Sequence, residues 1–239
     1  ANVEQLSEAT GIPALPMESP RGVNDPWLHM AATCLADADL VLLVGKKLDF
    51  SLRFGRPPAF SETCRFIQID ADHEQLRKDK RVLLSLHSDP TPVVRQLTAA
   101  AQAQTWQHSA WREKVAEARN TTPSEWEHLR RAPQQPLHPL HVCDALQPFL
   151  NNDAVFISDG GEFGQWMQAC IGTPTRVING PSGAIGSAIP FALGARLARP
   201  SSRIVTCTGD GAFGFHPFEF DTAVRYQLPF IAVIGNDAC

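Results

Sequence analysis

The chain has 239 residues, 44% of them apolar and 19% charged, with a formal net charge of −4. That length holds one large domain or two small ones, and the apolar share is enough to build real cores. The scattered, slightly acidic charge leaves no footprint for nucleic acid, and no apolar run reaches the roughly 20 residues that span a bilayer.

At the N-terminus, Glu4 and Glu8 without a leading basic cluster do not make a signal peptide. The six cysteines form no C-x-x-C pair, and Cys34, Cys64 and Cys207 lie in apolar stretches. They are expected to be buried thiols, which suits a reducing compartment and therefore the cytoplasm.

Taken in order, an amphipathic segment over Val3–Thr10 leads into a short apolar run, Ile12–Met17. Asp25–Asp37 is predicted helical. Leu40–Val44, Phe66–Ile69 and Val82–Leu86 are short apolar runs of strand type. Such runs alternating with helical patterns predict a parallel sheet covered on both faces. Asp89–Gln104 follows as a helix, with Pro90 and Pro92 in its tolerant first turn.

Between Thr105 and His138 the pattern changes to tryptophans set among charges and punctuating prolines, predicting one or two helices and a linker. The βα pattern then restarts. A helix is expected over Leu140–Leu150, a strand over Ala154–Ile157, and a small-residue helix over Ile185–Ala198. A strand at Ile204–Thr208, a helix at Phe218–Gln227 and a strand at Phe230–Ile234 complete it. The fold class predicted is α/β, with two doubly wound parallel-sheet domains. A chain that opens in a helix and stops just after a strand reads as part of a longer protein, with both domains truncated.

The chemistry concentrates in Gly209-Asp210-Gly211-Ala212-Phe213-Gly214, which follows a strand and precedes a helix. It fits the loose G-x-G-x-x-G pattern of dinucleotide sites, where backbone amides approach a pyrophosphate. Asp210 argues against a bare pyrophosphate. Two like charges about 4 Å apart repel by roughly 4 kcal/mol at an effective dielectric of about 20. A divalent cation between them reverses the sign. Asn236-Asp237 lies at the end of the next strand, with Asp237 27 residues after Asp210. One right-handed βαβ crossover spans that interval, so both aspartates are expected at carboxyl ends of neighbouring strands. Hard oxygen ligands of this kind suit Mg²⁺, which keeps few protein ligands.

Gly209-Asp210-Gly211, 24 residues, then Asn236-Asp237 resembles the metal-diphosphate motif of thiamine-diphosphate enzymes. Gly183-Ala184-Ile185-Gly186, with Ile185 25 residues before Asp210, resembles the segment of acetolactate synthases that meets the cofactor's aminopyrimidine. The resemblance covers nearly the whole chain. It implies a middle, nucleotide-binding-like domain over 1–118, a linker over 119–138 and a diphosphate-binding domain over 139–239.

Carried over residue by residue, the resemblance makes Asp210 and Asp237 ligands of Mg²⁺, with the Cys239 carbonyl as a third. Gly209 opens the turn, and the amides of Gly211 and Ala212 face the diphosphate. Gly183 and Ala184 lead to Ile185, whose carbonyl accepts from the aminopyrimidine amine, and Phe215 props the bent cofactor. Gly161 and Glu162 match a loop near the phosphates, although Glu162 stands where acetolactate synthases carry glutamine. Asp237 replaces the usual second asparagine and adds a charge expected to tighten Mg²⁺.

In such enzymes the thiazolium carbon attacks a 2-oxo acid with the ring as electron sink. The glutamate that activates it comes from a preceding domain of a partner subunit, so the resemblance implies a homodimer or homotetramer. No catalytic residue is assigned within this chain. His216 and Glu219, close to the motif, read as helix-start and surface residues.

The middle domain of the family holds FAD, or ADP and coenzyme A. Here Lys46, Lys47, Arg53 and Arg56 lie on one loop suited to phosphates, and Asp70 and Asp89 follow strands where an acid could hold ribose. The same residues also read as a solvated basic loop and two helix caps. Gly180–Gly186 and Phe213–Asp221 lean towards acetolactate synthase, acting on 2-oxo acids. The Gly45–Gly55 loop leans towards 2-hydroxyacyl-CoA lyase or oxalyl-CoA decarboxylase, acting on acyl-CoA. From another class, a non-catalytic nucleotide-binding module or an NAD-binding Rossmann protein would share the glycine turn.

Overall fold

The computed structural model describes residues 2–106, 110–132, 135–179 and 183–237. It resolves into two compact units with separate parallel sheets. The first comprises residues 1–17, 21–24 and 28–122; the second comprises 18–20, 25–27 and 123–239.

In the first unit, helix α1 (Asn2–Thr10) precedes strands β1 (Leu40–Val44), β2 (Arg65–Asp70) and β3 (Val82–His87). The strands pair in parallel in the order β1-β2-β3, with Val41 beside Phe66 and Asp70 beside His87. Leu43 and Phe66 from the strands and Leu48, Leu52, Phe60 and Cys64 from the segment between β1 and β2 fill the core. Helix α2 (Pro90–Gln102) is capped by Asp89, whose carboxylate accepts from the Thr91 N–H at 2.8 Å. Helix α3 (Ala110–Asn120) packs Val115 against Ala31 and Cys34. The segment Pro26–Asp37 is wound as 3₁₀ turns, broken at His29 (φ 48°), where a continuous helix was predicted.

The second unit begins with α4 (Ser124–Arg131) and α5 (Pro139–Leu146), the latter ending four residues before the predicted Leu150 in a 3₁₀ turn through Pro148. Next come β4 (Val155–Ser158), α6 (Gly161–Cys170), β5 (Thr175–Ile178) and α7 (Ala188–Ala198). They are followed by β6 (Ile204–Gly209), α8 (Asp210–Phe213), α9 (Glu219–Arg225) and β7 (Ile231–Gly235). The sheet is parallel, ordered β5-β4-β6-β7. From β4 the chain winds outward to β5, then returns to the other side of β4 for β6 and β7. The winding direction therefore reverses between β4 and β6.

All four residues of β4 are buried because alternate side chains enter two cores. Phe156 joins Met167, Ile171, Val205 and Cys207 on one face; Val155 and Ile157 meet Ala188, Ala192 and Ile204 on the other. Burial pushes the Cys207 thiol up to about 12, so it acts as a small apolar side chain. The five described cysteines are free thiols.

Strand β5 and helix α6 were not foreseen. β5 carries Arg176, whose side chain is only 5% exposed. Its guanidinium donates to the carbonyls of Ile171 and Gln168, pairs with Glu18 at 2.9 Å and stacks 3.8 Å over Trp27. Helix α6 lies hard against β4. A Cβ added at Gly164 would sit 2.0 Å from the Asp159 carbonyl oxygen. Gly164→Ala is therefore expected to lose about 2 kcal/mol of stability net of its better helix propensity, read as a lower denaturant midpoint. An unchanged midpoint would show that α6 can shift outward.

Candidate functional site

The loops leaving the carboxyl ends of β4 and β6, on either side of the winding reversal, are where α/β sheets bind ligands. Gly209 pairs with Gly235 in register across β6 and β7. Asp210 is thus one residue, and Asp237 two residues, beyond a matched pair on strands about 4.8 Å apart. Asp210 begins α8, and its carboxylate takes no hydrogen bond or ion pair among the described residues. Cys239 lies outside the described residues, as do residues 180–182 of the Gly180–Gly186 stretch. Among the described residues no group of three or more His, Cys, Asp and Glu side chains is arranged to hold a metal. The described metal candidates are these two strand-end carboxylates.

The glycines of the turn are informative. Gly209 has an ordinary extended backbone (φ −73°), and a Cβ at Gly209 or Gly211 would meet nothing within 4 Å. Neither crowding nor backbone strain inside the chain calls for glycine here. A ligand approaching the backbone would. The Gly211 and Ala212 N–H groups fall in the first turn of α8, where helix geometry supplies no intrahelical acceptor. Gly161 and Glu162 form the exposed first turn of α6, and Phe163 beside them packs its ring on Gly235.

The segment Gly183–Gly186 comes to the same end of the sheet. Gly183 (φ 70°) accepts at its carbonyl from Asn179 Nδ2 at 3.3 Å. Ala184 and Ile185 are exposed, and the Ile185 carbonyl has no hydrogen-bond partner among the described residues. Gly186 must be glycine. Its φ is 91°, and a Cβ would fall 2.5 Å from the Phe215 Cβ. Phe215, 59% exposed, is thereby seated against the segment.

Asp159 escaped the sequence reading. It is 3% exposed, and its carboxylate accepts from Gly160 N–H at 2.8 Å, Gly186 N–H at 3.0 Å and Ala188 N–H at 3.1 Å. A charge so buried is tolerable because several donors surround it. The sequence-level hint is an aspartate closing an apolar strand before two glycines. Its partners lie 27 and 29 residues away, beyond local pattern.

In the first unit, Asp49 folds the Phe50–Gly55 turn by accepting from Ser51 N–H and Oγ. Arg81 donates to the Gly55 carbonyl at 2.6 Å, and Arg77 stacks 5.0 Å from the Phe54 ring centre. Asp70 accepts from Asp72 N–H at 2.9 Å and Asp89 caps α2, so both acids serve local turns. Lys46 and Lys47 precede that turn, Arg53 lies within it and Arg56 closes it.

The donor set and the uncrowded glycine turn fit a metal-bridged diphosphate. Residues 159–239 match the family described as Thiamine pyrophosphate enzyme, C-terminal TPP binding domain, and residues 1–97 match its central domain. Acetolactate synthase large subunit IlvG of Mycobacterium tuberculosis is 34% identical over 242 residues, 98% of this chain and 43% of that protein. 2-hydroxyacyl-CoA lyase 2 of Homo sapiens is 29% identical over 252 residues, 97% of this chain and 38% of its own length. The Danio rerio counterpart is 30% identical over 256 residues, 100% of this chain and 40% of that protein. The chain thus spans about two-fifths of the curated relatives it matches.

Proposed function

Because the chain belongs to the thiamine pyrophosphate enzymes, we propose that it holds Mg²⁺ and thiamine diphosphate at the ends of β4, β6 and β7. The whole protein would then be a lyase or carboligase acting on 2-oxo acids, in the manner of acetolactate synthase. The observation that supports this most is the Gly209–Gly235 register, which sets two carboxylates on neighbouring strand ends beside an uncrowded glycine turn.

Asp210 and Asp237 would hold Mg²⁺, and the amides of Gly211 and Ala212 would face the diphosphate. The Ile185 carbonyl would accept from the aminopyrimidine amine, while Phe215 shapes the floor beneath it. When bound, the cofactor supplies an acidic thiazolium carbon and an electron sink. This chain's part is to bind, orient and exclude water. The activating glutamate, and with it a dimer or tetramer, is proposed by analogy with the family, and the free thiols favour a cytoplasmic setting. Sedimentation of an active monomer would remove the oligomer proposal.

Calorimetric titration of the full-length enzyme tests the site. Thiamine diphosphate should bind only with Mg²⁺ present; binding of NADH without metal would instead support a Rossmann module. A second reading, 2-hydroxyacyl-CoA lyase, is supported by the basic Gly45–Gly55 loop and by relatives at 29–30% identity. The first reading puts FAD on that loop, the second ADP or coenzyme A. Equilibrium dialysis against each nucleotide separates them.

A further inference from the structure

Gly186 is gripped from both of its peptide groups. Its N–H donates to the Asp159 carboxylate at 3.0 and 3.1 Å, and its carbonyl accepts from His216 Nδ1 at 2.8 Å. A carbonyl can only accept, so the Nδ1 position carries a proton. The His216 side chain does not cap the following helix, since α9 has no side-chain cap at its N-terminus. It turns back across 30 residues to the segment instead.

The consequence lies in the planarity of the amide. The Gly186 N–H belongs to the same peptide unit as the Ile185 carbonyl, and in a trans peptide the two point in opposite directions. An acceptor that fixes the N–H therefore aims the carbonyl away from itself. With φ at 91° and no side chain, Gly186 has no steric means of holding that orientation. His216 locks the next peptide, and it does so from the turn that carries Asp210, Gly211 and Ala212.

We propose that Asp159 and His216 are positioning residues, a pair of struts that aim the Ile185 carbonyl and fix its height above the diphosphate turn. The proposal rests on the reading that this carbonyl receives the aminopyrimidine amine.

The test separates the two ends of the cofactor. The full-length enzyme and its variants are titrated with thiamine diphosphate and with inorganic pyrophosphate, both with Mg²⁺. In His216→Ala, the thiamine diphosphate Kd should rise about tenfold, the scale of one lost hydrogen bond, while the pyrophosphate Kd stays within about twofold. His216→Asn, whose Nδ2 can take the place of Nδ1, should restore affinity. Asp159→Asn should act in the same direction as His216→Ala if it folds; the exposed His216 keeps the test valid if it does not. Equal weakening of both ligands, or no change in either, would overturn the inference. Wild-type enzyme that binds the two ligands equally would remove the cofactor reading itself, and the inference with it.

Discussion

Asp210→Ala is expected to weaken Mg²⁺-dependent binding of thiamine diphosphate by the full-length enzyme at least about 100-fold, more than loss of a group that only supports a metal ligand. The anionic diphosphate would face a turn from which the carboxylate that recruits the cation is gone. The fold should barely change, because Asp210 is half-buried and its carboxylate has no described partner. The variant's unfolding free energy should stay within about 0.5 kcal/mol of wild type. Calorimetry with and without Mg²⁺, run beside a thermal melt, reads both quantities. Retained metal-dependent affinity would take Asp210 out of the site. Asp237→Asn serves as the partner experiment. It restores the family's amide and should loosen Mg²⁺ while keeping the cofactor.

The opposite profile is expected of Asp159→Ala. Here the loss is of stability, because three buried N–H groups lose one charged acceptor. At about 1–3 kcal/mol for each unsatisfied group, partly relieved by water entering, a net loss of about 4 kcal/mol follows. A transition reporting on the second unit should fall by about 15 °C. A drop of only a degree or two would mean that the Gly186–Ala188 backbone finds other acceptors, and that Asp159 does not hold it. The two aspartates are near in kind and opposite in consequence: one is half-buried and proposed to hold a cation, the other is sealed among backbone donors.

That contrast follows what local pattern can carry. Strands β4 and β6 were legible because both of their faces are covered, whereas β1 was legible from its unbroken apolar run although Leu40 and Leu42 stay exposed. Strand β5 was not, because Arg176 reads as polar until its carbonyls, Glu18 and Trp27 are assembled around it. Helix α6 hid behind Gly161-Glu162, which look like loop. His216 read as a helix start, and its backbone does sit there, but its side chain bonds backward to Gly186.

By itself the sequence determined the α/β class, the positions of every strand but β5, and the Gly209–Gly214 turn with its aspartate. These are written in hydrophobic period and in the residue types a metal-bridged diphosphate demands, both of which are local. Only the tertiary structure decided the strand order β5-β4-β6-β7, the alignment of Gly209 with Gly235, and the grip of Asp159 and His216 on Gly186. Each of those joins groups 20 or more residues apart, where the energy resides in a contact that no local window of the chain contains.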